Sequence, residues 1–460
     1  MAFLPPEHVT VEEVHAASAE VLARPALPVV RSEHIIRVEA MGLEWDVGFA
    51  LHAPPADRVA RDPAGRKVGV LLLHGGAADM RDLDPLAQLL AERFGLSVLS
   101  GTFPGRLYLP DPSRRWPDDT IRADGTVRTP MWLEGETIGP DQYTVVHDTS
   151  MRRRYGTRTL ARARPGSRFE ARMAAWPVAF EVGMVEGCRR FLPEDEYVIL
   201  GQGHSTGGPF ICMLAQRIPN MAGVVATEHS PFGEFCARRA AVKGISGSMT
   251  GYDIPVDEVL RRTDAFDELY VRTWRDEARY LGPEALGREG PRALMELPSL
   301  MEDVHAEWER VKHYPQFKAE YMVTQGVASS MERAARITAG RLGLDANATE
   351  ALVERYLDYL RPVPAERGRP LPPFLCSIAK HSRDHTEEVY RHFYLPFFAE
   401  LDPAPRVSLV QFGEGIHTFW KPLDGLPLGI APAVGALWER AIQGGYFDAT
   451  RDGTADAVLP

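Results

Sequence analysis

Tyr197-Val198-Ile199-Leu200, then Gly203-His204-Ser205-Thr206-Gly207, then Phe210 to Ile218 form the stretch whose reading decides the fold. The first four residues are apolar and rich in β-branching and read as a buried strand, while Phe210–Ile218 reads as a helix. A serine flanked by small residues at a strand-to-helix junction is the nucleophile elbow, G-x-S-x-G. The turn is sharp enough to strain its central residue, and any side chain larger than hydrogen at the two glycine positions would collide with strand or helix. The strain lifts the Ser205 Oγ clear of the sheet, within reach of a histidine and a substrate carbonyl.

Outward from the elbow, strands and helices alternate. Val68–Leu73 is a continuous apolar run, the pattern of a parallel strand buried on both faces. Asp84 is placed as an N-cap with Pro85 at N1; Leu86, Leu89, Leu90 and Phe94 share a helical face, and Gly95 stands where that helix should stop. Leu96–Leu99 is the next strand, followed by a helix from about Pro177 to Phe191, the elbow unit and strand Ala222–Ala226. Upstream, Ile35–Val38 and Leu43–Leu51 read as a hairpin. Downstream come strand Pro373–Ala379, a helix from about Thr386 to Ala399, strand Val407–Phe412 and a last helix around Pro432–Ile442. Such alternation specifies a mostly parallel central sheet with helices on both faces, an α/β class. It stops twice. Residues 106–168 are rich in Pro, Gly, Asp and Arg and read as loops laid over the core, while 236–368 holds several amphipathic helices and reads as an inserted helical cap. The expected division is an N-terminal arm 1–32, a first core part 33–235 carrying the loop insertion at about 106–168, a helical cap 236–368 and a second core part 369–460.

With 460 residues, 45% of them apolar and 25% charged, the chain can bury a large core in the manner of ordinary soluble proteins. A formal charge of −11 argues against nucleic acid as a partner. No apolar run approaches the roughly 18–20 residues that a membrane span needs. Met1 to Glu13 carries acidic residues and prolines rather than a basic segment followed by an apolar one, so no secretory signal is expected and a cytoplasmic location is. Cys188, Cys212, Cys236 and Cys376 are scattered beside apolar stretches and read as free, packed thiols in a reducing compartment.

Serine Oγ is a poor nucleophile at neutral pH and needs a base within hydrogen-bond reach. Gly415-Ile416-His417-Thr418 follows strand Val407–Phe412 directly, which makes His417 the candidate base. The imidazole's other nitrogen needs a carboxylate. Asp384, in Lys380-His381-Ser382-Arg383-Asp384-His385, follows strand Pro373–Ala379 and is the first choice, ahead of the reading in which it caps the helix at Thr386. Glu228, just past strand Ala222–Ala226, is the alternative acid, and Glu387 a third. Two backbone N–H groups must face the developing oxyanion. One is that of Thr206 at the start of the elbow helix; the other is Gly76, in His74-Gly75-Gly76-Ala77 after strand Val68–Leu73. Arg106 and His204 are candidate substrate contacts. His381 and His385 have metal-compatible i,i+4 spacing, but their segment supplies the acid, so no metal is expected. The basic stretch Arg152 to Arg172 reads as a solvated surface balancing an acidic protein, with a rim for an anionic substrate as the alternative.

His74-Gly75-Gly76, the elbow Gly203–Gly207, Asp384 and His417, in the chain order serine, acid, histidine, resemble the α/β-hydrolase family. The resemblance covers roughly residues 33–235 and 369–445 and implies that family's fold and a cofactor-free acyl-transfer chemistry. The function it implies is a serine hydrolase that cleaves a small-molecule carboxylic ester or lactone through an acyl-enzyme. Acyl transfer, amide cleavage and C–C hydrolysis by the same triad remain open, as does a non-catalytic ligand-binding protein on the same scaffold, because the fold hosts many chemistries. Oligomeric state is open too, with a homo-oligomer among the options.

Overall fold

Lys67–Leu73 carries apolar side chains on both faces, so both faces must be covered. The computed structural model, which describes residues 7–40, 43–75, 79–104, 107, 132–136, 139–148, 158–164, 167–204, 207–215, 217–228, 336, 344–358, 372–382 and 405–448, shows what covers them. The strands are β1 (Glu7–Val9), β2 (Val30–Ala40), β3 (Leu43–Ala53), β4 (Lys67–Leu73), β5 (Ser97–Gly101), β6 (Tyr143–Asp148), β7 (Arg158–Ala163), β8 (Tyr197–Gly203), β9 (Met221–Thr227), β10 (Phe374–Ile378), β11 (Val407–Phe412) and β12 (Pro427–Ile430). Among the described residues, nine of them form one sheet in the order β1-β11-β10-β9-β8-β4-β5-β3-β2. All neighbours pair in parallel except that β3 runs against both β5 and β2.

The helices are α1 (Val11–Ala23), α2 (Asp84–Phe94), α3 (Arg168–Phe191), α4 (Gly207–Leu214), α5 (Ala346–Asp358) and α6 (Ala431–Gln443). Val70 and Leu72 of β4, Leu200 of β8 and Val410 of β11 point to one face, where they pack with Val14 of α1, Leu86 and Leu90 of α2, and Leu437 and Trp438 of α6. The opposite face is covered by α3 and α4. There the rings of Phe103, Phe180 and Phe210 meet pairwise at centroid distances of 5.0–5.3 Å, edge-on or tilted as aromatic quadrupoles prefer. The mostly parallel sheet between two helical layers is the α/β-hydrolase fold that the sequence implied.

Four features depart from the sequence reading. Asp84, read as an N-cap, is the first residue of α2, whose cap is Leu83 without a side-chain hydrogen bond. Helix α3 starts at Arg168 and carries Pro177 in its interior, whereas the reading placed this proline at the helix start, where its missing N–H is harmless. The stretch read as loops contains the antiparallel pair β6–β7, in which the β-prone run Tyr143-Thr144-Val145-Val146 finds a partner in Arg158–Ala163. The N-terminal arm contributes, besides α1, the short strand β1, which pairs with β11 at one edge of the sheet. Of the expected cap 236–368, Arg336 and residues 344–358 are described and include α5; the rest lies outside the described residues.

Parallel sheets of this kind bind at the carboxyl ends of their strands, beside the point where successive connections leave in opposite directions. Strand β4 lies between β5 and β8, so this point falls between β4 and β8, whose last residues Leu73 and Gly203 are paired. Leu72 sits there with no exposed surface. Truncating it in Leu72→Ala removes contacts that the covered sheet cannot refill, and a loss of about 2–5 kcal/mol is expected. Urea unfolding followed by circular dichroism measures it; a change below about 1 kcal/mol would mean that this layer is not close-packed.

Candidate active site

Neither elbow glycine has room for a side chain. A Cβ on Gly203, the last residue of β8, would lie 2.1 Å from the Gly207 carbonyl oxygen and 2.4 Å from its carbon. One on Gly207 would lie 2.9 Å from the His74 carbonyl oxygen and 3.0 Å from that of Leu73. Main-chain hydrogen bonds draw the turn together: His204 N–H donates to Leu73 O at 2.9 Å and Gly207 N–H to His204 O at 2.8 Å. The elbow is thereby pressed against the loop that follows β4. Ser205 and Thr206 belong to this turn by sequence but lie outside the described residues, as do Gly76, Arg106, Asp384, His385 and Glu387.

The loop after β11 brings His417 to the same end of the sheet. Its Nδ1 donates to Glu228 Oε2 at 3.2 Å, and its side chain keeps 16% of its surface exposed. A carboxylate only accepts, so the bond fixes the ring as the Nδ1–H tautomer and leaves Nε2 as the basic nitrogen. Glu228 itself is fully buried. Its Oε1 accepts the Ala379 N–H at 2.6 Å, and its Oε2 also accepts the Ser382 hydroxyl at 2.5 Å. Its own N–H donates to Ser377 O at 3.1 Å. Among the described residues Glu228 is the one non-glycine with positive φ, +56°. Strain of this kind persists only where the surroundings over-determine it, and here four hydrogen bonds to two segments, residues 377–382 and the loop after β11, do so. Among the described residues, the carboxylate that contacts His417 is Glu228, the acid that the sequence reading placed second.

Two other histidines brace the site. His204 is 6% exposed, and its Nε2–H donates to the His417 carbonyl at 3.0 Å. Its ring lies 4.6 Å from those of His417 and Trp420. This placement suits holding the loop after β11 more than reaching a ligand, the role first read for it. His74 is fully buried; its Nε2 accepts the Phe103 N–H at 3.1 Å and its Nδ1–H donates to Gly75 O at 2.8 Å. The two bonds agree on a neutral Nδ1–H imidazole that ties the loop after β4 to the one after β5.

Sequence reasoning missed Gln202 and Ser382. The Gln202 amide pairs with Thr227 as a strand residue would, accepting its N–H at 2.9 Å and donating to its carbonyl at 2.7 Å. It bridges β8 to β9 just before Glu228. An amide closing an otherwise apolar strand was the available signal. Ser382 had none, since a hydroxyl in a polar loop is unremarked until its partner is known. His381 is largely exposed, with its N–H on Gly415 O at 2.9 Å and its Nε2 3.7 Å from Glu414 Oε1. Among the described residues no three His, Cys, Asp or Glu side chains converge as metal ligands would, and no helix is long and apolar enough to cross a membrane.

No family model and no curated protein matches the chain. Among solved structures it is similar to an esterase of Rhizomucor miehei at 11% identity and TM-score 0.35, over 95% of this chain and 91% of that one. It is similar to an S-formylglutathione hydrolase of Agrobacterium tumefaciens at 12% identity and TM-score 0.35, over 90% and 96%. A bacterial heroin esterase gives 13% identity and TM-score 0.38, over 96% and 94%. Likenesses this low carry no argument about chemistry, which has to come from the residues themselves.

The Glu228 carboxylate meets three donors with acceptor atoms only. In Glu228→Gln one of those donors faces an NH₂ group, and the expected loss is about 1–3 kcal/mol. Chemical denaturation of the variant against the parent checks this, and equal midpoints would remove Glu228 as the brace of the site.

Proposed function

We propose that the protein is a serine hydrolase that cleaves a carboxylic ester or lactone, with Ser205 as nucleophile, His417 as base and Glu228 as the acid that orients it. The 3.2 Å contact between His417 Nδ1 and Glu228 Oε2, beside the elbow, is the observation that carries this reading. Asp384 lies outside the described residues; the acid role goes to Glu228 on the contact it makes.

In this mechanism His417 Nε2 takes the Ser205 hydroxyl proton as Oγ attacks the substrate carbonyl. The imidazolium so formed is stabilised by the buried carboxylate on its other nitrogen. The negative charge that develops on the carbonyl oxygen is received by the N–H groups of Thr206 and Gly76, the first aided by the helix start behind it. Support for that pairing comes from the close approach of the elbow to the loop after β4. His417 then gives its proton to the leaving alkoxide and next activates the water that hydrolyses the acyl-enzyme, so acid and base duties alternate on one imidazole. A lactone needs nothing further, since its leaving alkoxide stays tethered to the acyl group until water releases the hydroxy acid.

A fluorophosphonate probe tests the reading directly. Labelling of the parent chain at Ser205 and its absence in Ser205→Ala are expected, with turnover of the best of a panel of acyl esters and lactones falling at least ~10³-fold in that variant. Glu228→Gln should lower kcat by about 10²–10⁴-fold through the wrong imidazole tautomer. Silence of a folded parent chain toward the probe would point instead to a ligand-binding protein on this scaffold. Amine and alcohol acceptors added to the panel, with amide and C–C substrates, separate hydrolysis of esters from the other acyl chemistries.

A further inference from the structure

We infer that strand β2 is the docking edge for a second copy of this chain, the two copies pairing antiparallel about a two-fold axis at Ile35. The two edges of the sheet are built differently. At one, β1 is three residues long and blunts the edge. At the other, β2 runs for eleven residues without a proline and, among the described residues, pairs with β3 alone. A long regular edge is a template for another strand unless something in it prevents pairing.

The direction of its main chain follows from what β3 does with its own groups. Asp46 N–H donates to Trp132 O and Gly48 O accepts the Thr102 N–H, each at 2.8 Å. These groups point away from β2, so Arg37↔Asp46 and Ile35↔Gly48 are the non-hydrogen-bonded pairs of the β2–β3 ladder. The odd-numbered residues of β2 therefore aim their main-chain groups away from β3, toward the outer side.

The same odd-numbered residues, Arg31, Glu33, Ile35, Arg37 and Glu39, have exposed side chains on one face, while Ile36, Val38 and Ala40 are buried on the other. Ile35 is 55% exposed and Val30 69%, an unusual exposure for branched apolar side chains on one strand. Antiparallel pairing about Ile35 sets Ile35 against Ile35, Glu33 of each copy against Arg37 of the other, and Arg31 of each against Glu39 of the other. Every charge then meets its opposite. Moving the axis one residue toward the N-terminus sets Arg31 against Arg37, and one residue toward the C-terminus sets Glu33 against Glu39. Directly opposed like charges destabilise a pair of strands and opposite ones stabilise it, so this register is favoured over its neighbours, and it opposes more unlike charges than the shorter overlaps centred on residues 32 or 38. Three of the side chains are already ordered within the chain: Arg31 on Asp84 at 2.9 Å, Glu33 on Arg81 at 3.2 Å and Arg37 on Asp46 at 2.8 Å. A second copy therefore meets a charge pattern held in place.

Sedimentation equilibrium of the full chain at concentrations up to about 100 μM tests this, because a dimer weaker than that has no standing as an assembly. The parent should be a dimer that weakens as salt is raised. Glu39→Arg, which sets Arg against Arg31 in both symmetry-related pairs, should weaken it about 10-fold or more. Arg31→Glu should do the same by opposing two glutamates, and a mixture of the two variants should recover a heterodimer, since each then supplies what the other needs. Ile35→Pro removes an outward N–H that β3 does not use and should give a monomer with an unchanged circular dichroism spectrum. A parent chain that stays monomeric overturns the inference. So does a dimer that Glu39→Arg leaves intact, or variants that fail to recover on mixing.

Discussion

The carboxylate of Glu228 has no solvent to lean on. Burying an acidic group completely is unfavourable unless its oxygens are satisfied, and here the donors come from Ala379, Ser382 and His417, which are 151, 154 and 189 residues along the chain. One side chain at the exit of β9 thus fastens the exits of β10 and β11 to it. Two further bonds run beside it, from the Glu228 N–H to the Ser377 carbonyl and between the Thr227 and Ser377 hydroxyls. Positive φ at Glu228 is what turns its side chain under the loop after β11 instead of continuing the strand. If that carboxylate were placed one residue earlier, the period-two alternation of β9 would send it to the opposite face of the sheet.

A second set of polar groups holds the neighbouring strand ends at fixed distance from this one. Gln202 bridges β8 to β9, His74 bridges the loop after β4 to the loop after β5, and His204 bridges the elbow to the carbonyl of His417 itself. Each of these bridges is a buried side chain bonded to a backbone group, which makes it insensitive to the rotamers of its neighbours. Catalytic constellations have to be held to a fraction of an ångström by groups that are themselves locked. The carboxyl ends of β4, β8, β9, β10 and β11 are linked in that manner, while the hydrophobic layers beneath fix the strands on which they stand. Packing decides where the strands lie; polar bridges decide how their ends meet.

Much of this was legible in the chain. Strand Val407–Phe412 has the bounds read from the sequence, and the helix ending at Gly95 stops where glycine adopts φ +67°. The elbow was legible because a steric requirement leaves a residue signature: two glycines at fixed spacing, which the Gly203 and Gly207 contacts explain. His417 was legible from its place after a strand. The contact of Glu228 with His417 was not, because Glu228 and Asp384 both follow a strand that feeds the site, and sequence has no measure of how far an exit loop bends toward the imidazole. That depends on a single backbone angle at residue 228 and on Ser382, two facts without a sequence pattern. β6 and β7 were hidden for a related reason. Their pairing is a property of two segments together, and neither carries a strong signal inside a region dominated by proline, glycine and arginine.

The direction of β2 sets what pairing through it can and cannot do. β3 opposes β5 and β2 opposes β3, so β2 runs the same way as the strands that carry the site. Antiparallel pairing of two β2 strands reverses that direction between copies. The carboxyl strand ends of one copy then lie along the opposite border of the joined sheet from those of the other, with the full width of β2 to β8 between each site and the shared axis. Among the described residues, neither copy brings a side chain to the strand ends of the other. An assembly of this form would remove an exposed edge and extend one sheet through both copies, with the described strand ends of the two copies on opposite borders.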